Sequence, residues 1–347
     1  KLDPEHALIK QDVATPSSPK SAIGVIVESY RRRMQKSLPA FTALSCDNIQ
    51  HNGDVLGEAV ISLAKLQDPA LAAWIETNAS FPNTMVDRIT PVTKAEDIAY
   101  IEGEYKIADQ WPVVCEAFTQ WVIEDKFVSG RPAWEQVGAQ FVPDVAPYEV
   151  MKLRLLNASH LAIACLGDLA GYKFIDETLA NQLFQRFMQA LMDKETGPTL
   201  PAVPGIDLPE YKKVLVERFV NPAIKDTVER VATDAPLNTV LASIRDRLKA
   251  GAEIDLLALT LAGWLRRASG VDEKGNSFTV RHPLAATLNA KAAEGKSDPA
   301  PLLSMTELFG ELGTDARVTE PTARYLASLY EKGSLATLAD VAAAGKI

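Results

Sequence analysis

What most limits how this chain can fold is a change in its apolar spacing at VPDVAP, residues 142–147. Before it, short β-branched and aromatic runs alternate with helical stretches. AFTALSCDNI (40–49), FPNTMVDRITPVT (81–93) and WPVVCEAFTQWVIEDKF (111–127) have the length and punctuation of strands. Three- and four-residue spacing predicts helices over Ala22–Lys36, with Ile23, Val25, Ile26 and Tyr30 on one side, and over Val55–Ser80. After Pro147 only helical spacing remains, over Tyr148–Ala170, Asp176–Met192, Leu208–Phe219, Asn221–Ala232, Thr239–Lys249 and Asp255–Ser269. Further helices are expected near LLSMTELFGEL and TARYLASLYEKG. Residues 1–146 therefore predict an α/β unit and residues 147–347 an all-helical one.

Net charge narrows the partners. With 45 acidic against 36 basic residues the chain is acidic by 9 charges, which disfavours nucleic acid and an anionic membrane surface. Its densest basic run, YRRRMQK (30–36), reads as a solvated helix face. No apolar run approaches the ~18 residues of a membrane span. Three scattered cysteines, Cys46, Cys115 and Cys165, without a CxxC pair, suit a reduced, cytoplasmic protein in which they act as small buried hydrophobes.

Within the first helix after the switch, YEVMKLRLLNASH (148–160) sets Glu149, Lys152, Asn157 and His160 among Leu, Met and Val. At about 100° per residue the four fall within an arc of roughly 140°. Each alone reads as a snorkelling lysine, a satisfied core histidine or an amide bonded to backbone. Four together favour a shared polar pocket, because a buried polar group costs free energy unless paired. Desolvation disfavours the ammonium of a pocket lysine and suits it to act as a general base, or as a Schiff-base nucleophile in a lyase or aldolase. An Asn amide is a donor suited to an oxygen that gains negative charge. No metal is implied: Asp47 and His51 stand four apart on a strand-to-loop segment, a poor ligand pair.

These motifs resemble the mannitol dehydrogenase family of polyol-specific long-chain dehydrogenases and reductases. The resemblance runs through SCDNIQHNG (45–53), FPNTMVDRITP (81–91), CEAFTQWVIEDKF (115–127), GRPAWEQVGAQFV (130–142), PYEVMKLRLLNASH (147–160) and LAGWLRRASGVDEKG (261–275). It implies a Rossmann-type domain followed by a mainly helical catalytic domain with the site between them. It also implies NAD or NADP as cofactor, a small polyol or ketose as substrate, and a monomer. The family pattern K-x-x-x-x-N-x-x-H falls on Lys152, Asn157 and His160. The resemblance makes Lys152 the general base, Asn157 and Asn48 the oxyanion hole, His160 a substrate-orienting group and Glu149 the guard of a proton or water route. It sets Asn48, Val86 and Asp87 on the nicotinamide and ribose side of the cofactor, and Arg230 on a substrate hydroxyl. The match is nearest to the mannitol and fructose type, with hexuronate reductases acting on fructuronate or tagaturonate as the alternative. Where the family has GSSK, this chain reads APLN, residues 235–238, with Asn238 in place of the Lys. No G-x-G-x-x-G follows a strand here. The family's first βαβ half is therefore expected before Lys1, leaving residues 1–146 as a partial Rossmann-type domain. If that half is missing, a non-catalytic helical binding module is a further reading.

Overall fold

A computed structural model describes residues 2–347. They form two compact units. The first runs to Arg88 and resumes over Ala117–Glu149, and the second comprises Ile89–Glu116 and Val150–Ile347.

In the first unit, helices α1 (Ala7–Ala14), α2 (Ala22–Gln35), α3 (Asn52–Gln67) and α4 (Pro69–Asn78) pack around Val27, Tyr30, Val60, Leu63, Leu71 and Ile75. α2 starts where its cap predicts: the Ser21 hydroxyl accepts the Gly24 N–H. Val27 takes a core position, whereas Val25, expected on the buried side, is exposed. Along the basic run Arg31 and Arg32 both pair with Glu28. The single helix expected over Val55–Ser80 is broken at Asp68, which adopts extended backbone, caps Ala70 and Leu71 with its carboxylate and precedes Pro69.

Strands β1 (Thr84–Asp87), β2 (Gln120–Glu124) and β3 (Gln140–Val142) form one sheet in that order. β1 and β2 are antiparallel, with Thr84 opposite Ile123, and β2 and β3 are parallel, with Val122 opposite Gln140. The segment AFTALSCDNI contributes only a parallel bridge between Thr42 and Ser80, not the expected strand. Side chains instead satisfy part of its backbone: the Tyr30 hydroxyl donates to Phe41 O and the Ser129 hydroxyl to Ala40 O. Only Cys165 of the three cysteines is buried, and Cys46 is exposed.

The second unit takes α5 (Ala95–Tyr105) from between β1 and β2. Its main entry is a helix in three parts: α6 (Ala146–Met151), a π-helical turn over Lys152–Asn157, and α7 (Ala158–Leu169). There follow α8 (Ile175–Leu179), α9 (Gln182–Ala190), a second π-helical turn over Leu191–Thr196, α10 (Leu208–Phe219), α11 (Val228–Asp234), α12 (Asn238–Lys249), α13 (Asp255–Arg267), α14 (Ala285–Gly295), the short α15 (Ala300–Leu303) and α16 (Thr306–Phe309), and α17 (Ala316–Ala343). α7 packs on α11 and α13, and α13 on α17. Among residues 158–169 only Asp168 escapes burial, so α7 is a central element covered on every side.

Two expected helices differ. Asp176–Met192 divides at Asn181, whose side chain accepts the Leu183 N–H and caps α9. Asn221–Ala232 becomes helical only at Val228, because Asn221 closes a local turn onto Ala223 and Thr227 supplies the cap. No described helix is long and apolar enough to cross a membrane.

Candidate active site

In the first unit the polar end of AFTALSCDNI is tied to the sheet by one residue. Asn52, 1% exposed, donates through Nδ2 to Asp47 O (3.0 Å), Thr84 O (3.0 Å) and Thr84 Oγ1 (2.9 Å), and its Oδ1 accepts the Thr84 N–H (2.8 Å). The Thr84 hydroxyl in turn donates to Ser45 O at 2.7 Å. The turn carrying the exposed Asn48 is thereby bound to β1, which carries half-buried Val86 and buried Asp87. Gly53 is required next to it, since a Cβ there would lie 2.3 Å from Pro82 O. Sequence reasoning missed Asn52, although the Asn-Gly pair signals a tight turn.

The same turn ends at His51, in the left-handed region at φ 52°, whose N–H donates to Glu149 Oε1 at 3.1 Å. Burial pushes the Glu149 carboxyl up from its ordinary value, and the His51 N–H opposes that rise. Glu149 is thus an acceptor for the loop that carries Asn48.

In the second unit Lys152, 7% exposed, begins the π-helical turn, Asn157 ends it half-buried, and His160 follows at 8% exposure. A π-turn inserts one residue into the α-helical count and rotates all that follows by about 100°. That insertion moves Asn157 from about 140° to about 40° from Lys152, and His160 from about 80° to about −20°. The arc spanned by these three narrows from roughly 140° to roughly 60°, so straight α-helical reckoning understated their convergence. Arg154 anchors the turn through Thr199 O at 2.7 Å and Asp246 at 2.6 Å.

His160 stacks on Phe219, with centroids 4.1 Å apart and planes 17° from parallel. Both border a cavity of about 10 Å3, room for about one water, with Ile89, Arg218 and Asp226 on its wall. Arg218 is held in a buried fork by Glu116, Nε at 3.0 Å and Nη2 at 2.7 Å. Arg230 projects from α11, which packs on α7, and is engaged by Asp226 through Nε at 2.7 Å and by Asp234 through Nη1 at 3.2 Å. Asp226 therefore links Arg230 to the cavity beside His160. Phe219, Arg218 and Glu116 carried no sequence signal, because their roles arise from contacts between distant segments.

The pattern of the mannitol dehydrogenase C-terminal domain matches residues 144–330, and that of the mannitol dehydrogenase Rossmann domain matches residues 6–136. The chain belongs to the mannitol dehydrogenase family. Among relatives in this family, the D-mannonate oxidoreductase of Escherichia coli (strain K12) is 45% identical over 89% of this chain and 65% of its own length. A mannitol 2-dehydrogenase of Aspergillus oryzae is 41% identical over 97% of this chain and 69% of its own. The Pseudomonas fluorescens mannitol 2-dehydrogenase, solved as a ternary complex with NAD and D-mannitol, superimposes with a TM-score of 0.82 at 42% identity, covering 98% of this chain and 70% of that one. A substrate-free D-sorbitol dehydrogenase gives a TM-score of 0.87 at 34% identity, over 97% and 70%. The chain thus spans about two thirds of the length of the mannitol dehydrogenase relatives it matches.

The Rossmann match corrects one expectation. The cofactor-binding half of the mannitol dehydrogenase family was expected to be missing, yet residues 6–136 match its Rossmann domain. The glycine-rich fingerprint is one local element of such a domain, and its absence from a stretch of sequence does not remove the rest of the domain's pattern.

Proposed function

We propose that this chain carries the proton chemistry of an NAD-dependent, metal-independent oxidoreductase that interconverts a polyol and a ketose of the mannitol and fructose type. The carrying observation is a lysine at 7% exposure on the same narrow arc as Asn157 and His160. Family membership and the NAD-bound mannitol 2-dehydrogenase neighbour support the reading.

The donor set of the first unit fits the nicotinamide and ribose end of the cofactor. By the family resemblance the exposed Asn48 would meet the carboxamide and Asp87, buried at the end of β1, the ribose side, with Val86 as the apolar neighbour. When bound, NAD supplies the hydride acceptor. The residues of this chain do the rest. Lys152 Nζ takes the proton of the substrate hydroxyl during oxidation and returns it during reduction. The amides of Asn157 and Asn48 donate to the oxygen as its charge grows. His160, backed by Phe219, orients a neighbouring hydroxyl, and Arg230 holds another. Glu149 guards the proton route to Lys152.

The D-mannonate oxidoreductase relative supports a second reading, a hexuronate reductase of the same family, and Asn238 in place of the family's Lys leaves the substrate loop without that cation. The oxidoreductase relatives weigh against the Schiff-base lyase: borohydride reduction with a ketose should leave Lys152 unmodified. They weigh equally against a non-catalytic module. Assay of NADH and NADPH against fructose, fructuronate, tagaturonate and xylulose tests the proposal. Fructose-dependent NADH oxidation is expected, and turnover of none of the four would overturn it.

A further inference from the structure

Residues 89–116 enter the second unit at Ile89 and leave it at Glu116, and these two end residues grip each other. The Glu116 N–H donates to Ile89 O at 3.1 Å, and Glu116 Oε1 accepts the Ile89 N–H at 2.6 Å. The excursion is thereby closed at its base. The same carboxylate takes the guanidinium of Arg218 as a fork, Oε1 accepting from Nη2 at 2.7 Å and Oε2 from Nε at 3.0 Å. Glu116 is 5% exposed and Arg218 6%, so both charges are out of water.

A buried ion pair is a poor device for stability, because the desolvation of two charges offsets most of their attraction and apolar replacements are often tolerated. What a planar fork supplies is direction, since two parallel N–H···O bonds fix both the plane of the guanidinium and its distance. That direction acts on the last turn of α10. Helix ends lack intrahelical partners for their final carbonyls and fray unless something holds them, and Arg218 is the penultimate residue, immediately before Phe219. Phe219 is the ring on which His160 lies. Ile89, Arg218, Phe219 and His160 all border the same small cavity, so one carboxylate holds two of the walls around the imidazole, Ile89 through its N–H and Arg218 through the fork.

We propose that Glu116 and Arg218 are positioning residues for the reaction: their fork fixes the end of α10 and Phe219 with it, and through Phe219 the plane in which His160 meets a substrate hydroxyl. The proposal rests on the reading of His160 as the substrate-orienting group and adds the pair that holds it.

The variant that tests it removes both charges together, Glu116→Gln with Arg218→Met, so that neither is left buried without its counter-charge while the amide oxygen can still accept the Ile89 N–H. Thermal melting should show it folded. Its KM for fructose should rise about threefold to tenfold, the scale of a lost stacked ring, with kcat and the KM for NADH little changed. A merely structural defect would lower the active fraction, and so kcat, and leave KM in place. Adding Phe219→Leu should raise KM no further, because both changes break one linkage. Arg218→Lys, which keeps the charge and loses the fork, should show the same rise. A second readout needs no turnover: in carbon-13 spectra of histidine-labelled protein the face of Phe219 shields the His160 ring, whose signal is identified by its loss in His160→Gln. That signal should move in the double variant, while those of His6, His51 and His282 stay. A stationary His160 signal would overturn the proposal, as would an unchanged KM for fructose or a rise that adds in full to that of Phe219→Leu. Failure of the catalytic reading looks different, since the unaltered protein would then turn over no fructose at all.

Discussion

The ring of Phe219 lies flat against the imidazole of His160, at 4.1 Å between centroids, so the last residue of α10 sets the plane of a side chain on α7. A stacked pair of this kind is worth about 0.5–1.5 kcal/mol beyond the area it buries. Phe219→Leu keeps an apolar side chain but frees the imidazole plane. Its kcat/KM is expected to fall about threefold to tenfold, mainly through KM, with a small loss of stability. Steady-state kinetics beside a thermal melt checks this, and unchanged KM would refute the orienting role.

Lys152→Ala should lower kcat by about two to four orders of magnitude, the usual scale of a lost general base. The helix should persist, since Ala favours helical backbone, and a thermal melt beside the kinetics separates lost chemistry from lost stability. Near-normal turnover would show that another group moves the proton.

Gly53→Ala forces a Cβ to within 2.3 Å of a backbone oxygen, which nothing flexible can relieve. A loss of about 1–3 kcal/mol, the ordinary cost of overpacking, is expected in chemical denaturation. Activity should fall further than stability explains, because the strain falls beside the turn bearing Asn48. Wild-type stability in the variant would mean that the contact between α3 and Pro82 yields easily.

Glu195 lies in the second π-turn, 4% exposed, with its carboxylate accepting the N–H groups of Leu256 (2.8 Å) and Leu257 (2.7 Å) at the start of α13. Burial pushes its carboxyl up to about 7 from an ordinary 4.5, against those two N–H groups. A raised carboxyl means the folded chain holds a proton that the unfolded chain has released. Its contribution is full below about pH 4.5 and is lost as pH rises to about 7, a fall of roughly 3 kcal/mol at most. Glu195→Gln should flatten that part of the stability profile, as urea denaturation from pH 4.5 to 7.5 would reveal. An unchanged slope would assign the effect to other groups.

Much of this architecture is legible in local pattern. α2 and α10 stand where apolar spacing and a side-chain cap set them, and β1, α12 and α13 where residue pattern alone does, since each is specified by its own residues. AFTALSCDNI misleads because a short apolar run satisfies its backbone through Tyr30 and Ser129, which no local rule reveals. The excursion of residues 89–116 into the second unit is equally hidden: its anchor is the ion pair of Glu116 with Arg218, 102 positions away. For the site, chemical type and spacing mark out Lys152, Asn157 and His160. Asn52, Phe219 and Arg218 stay invisible because an amide, a ring and a guanidinium have meaning only through their neighbours.

The widened turn at Lys152–Asn157 makes helix phase an adjustable quantity. Were the same residues to re-pair as an unbroken α-helix, with none deleted, the backbone would regain ordinary pairing and run straight. The repaired helix would carry His160 about 100° away from its present bearing. A gain in regularity would then cost the alignment of an amine with an imidazole, so the irregular turn is where this fold trades backbone order for aim.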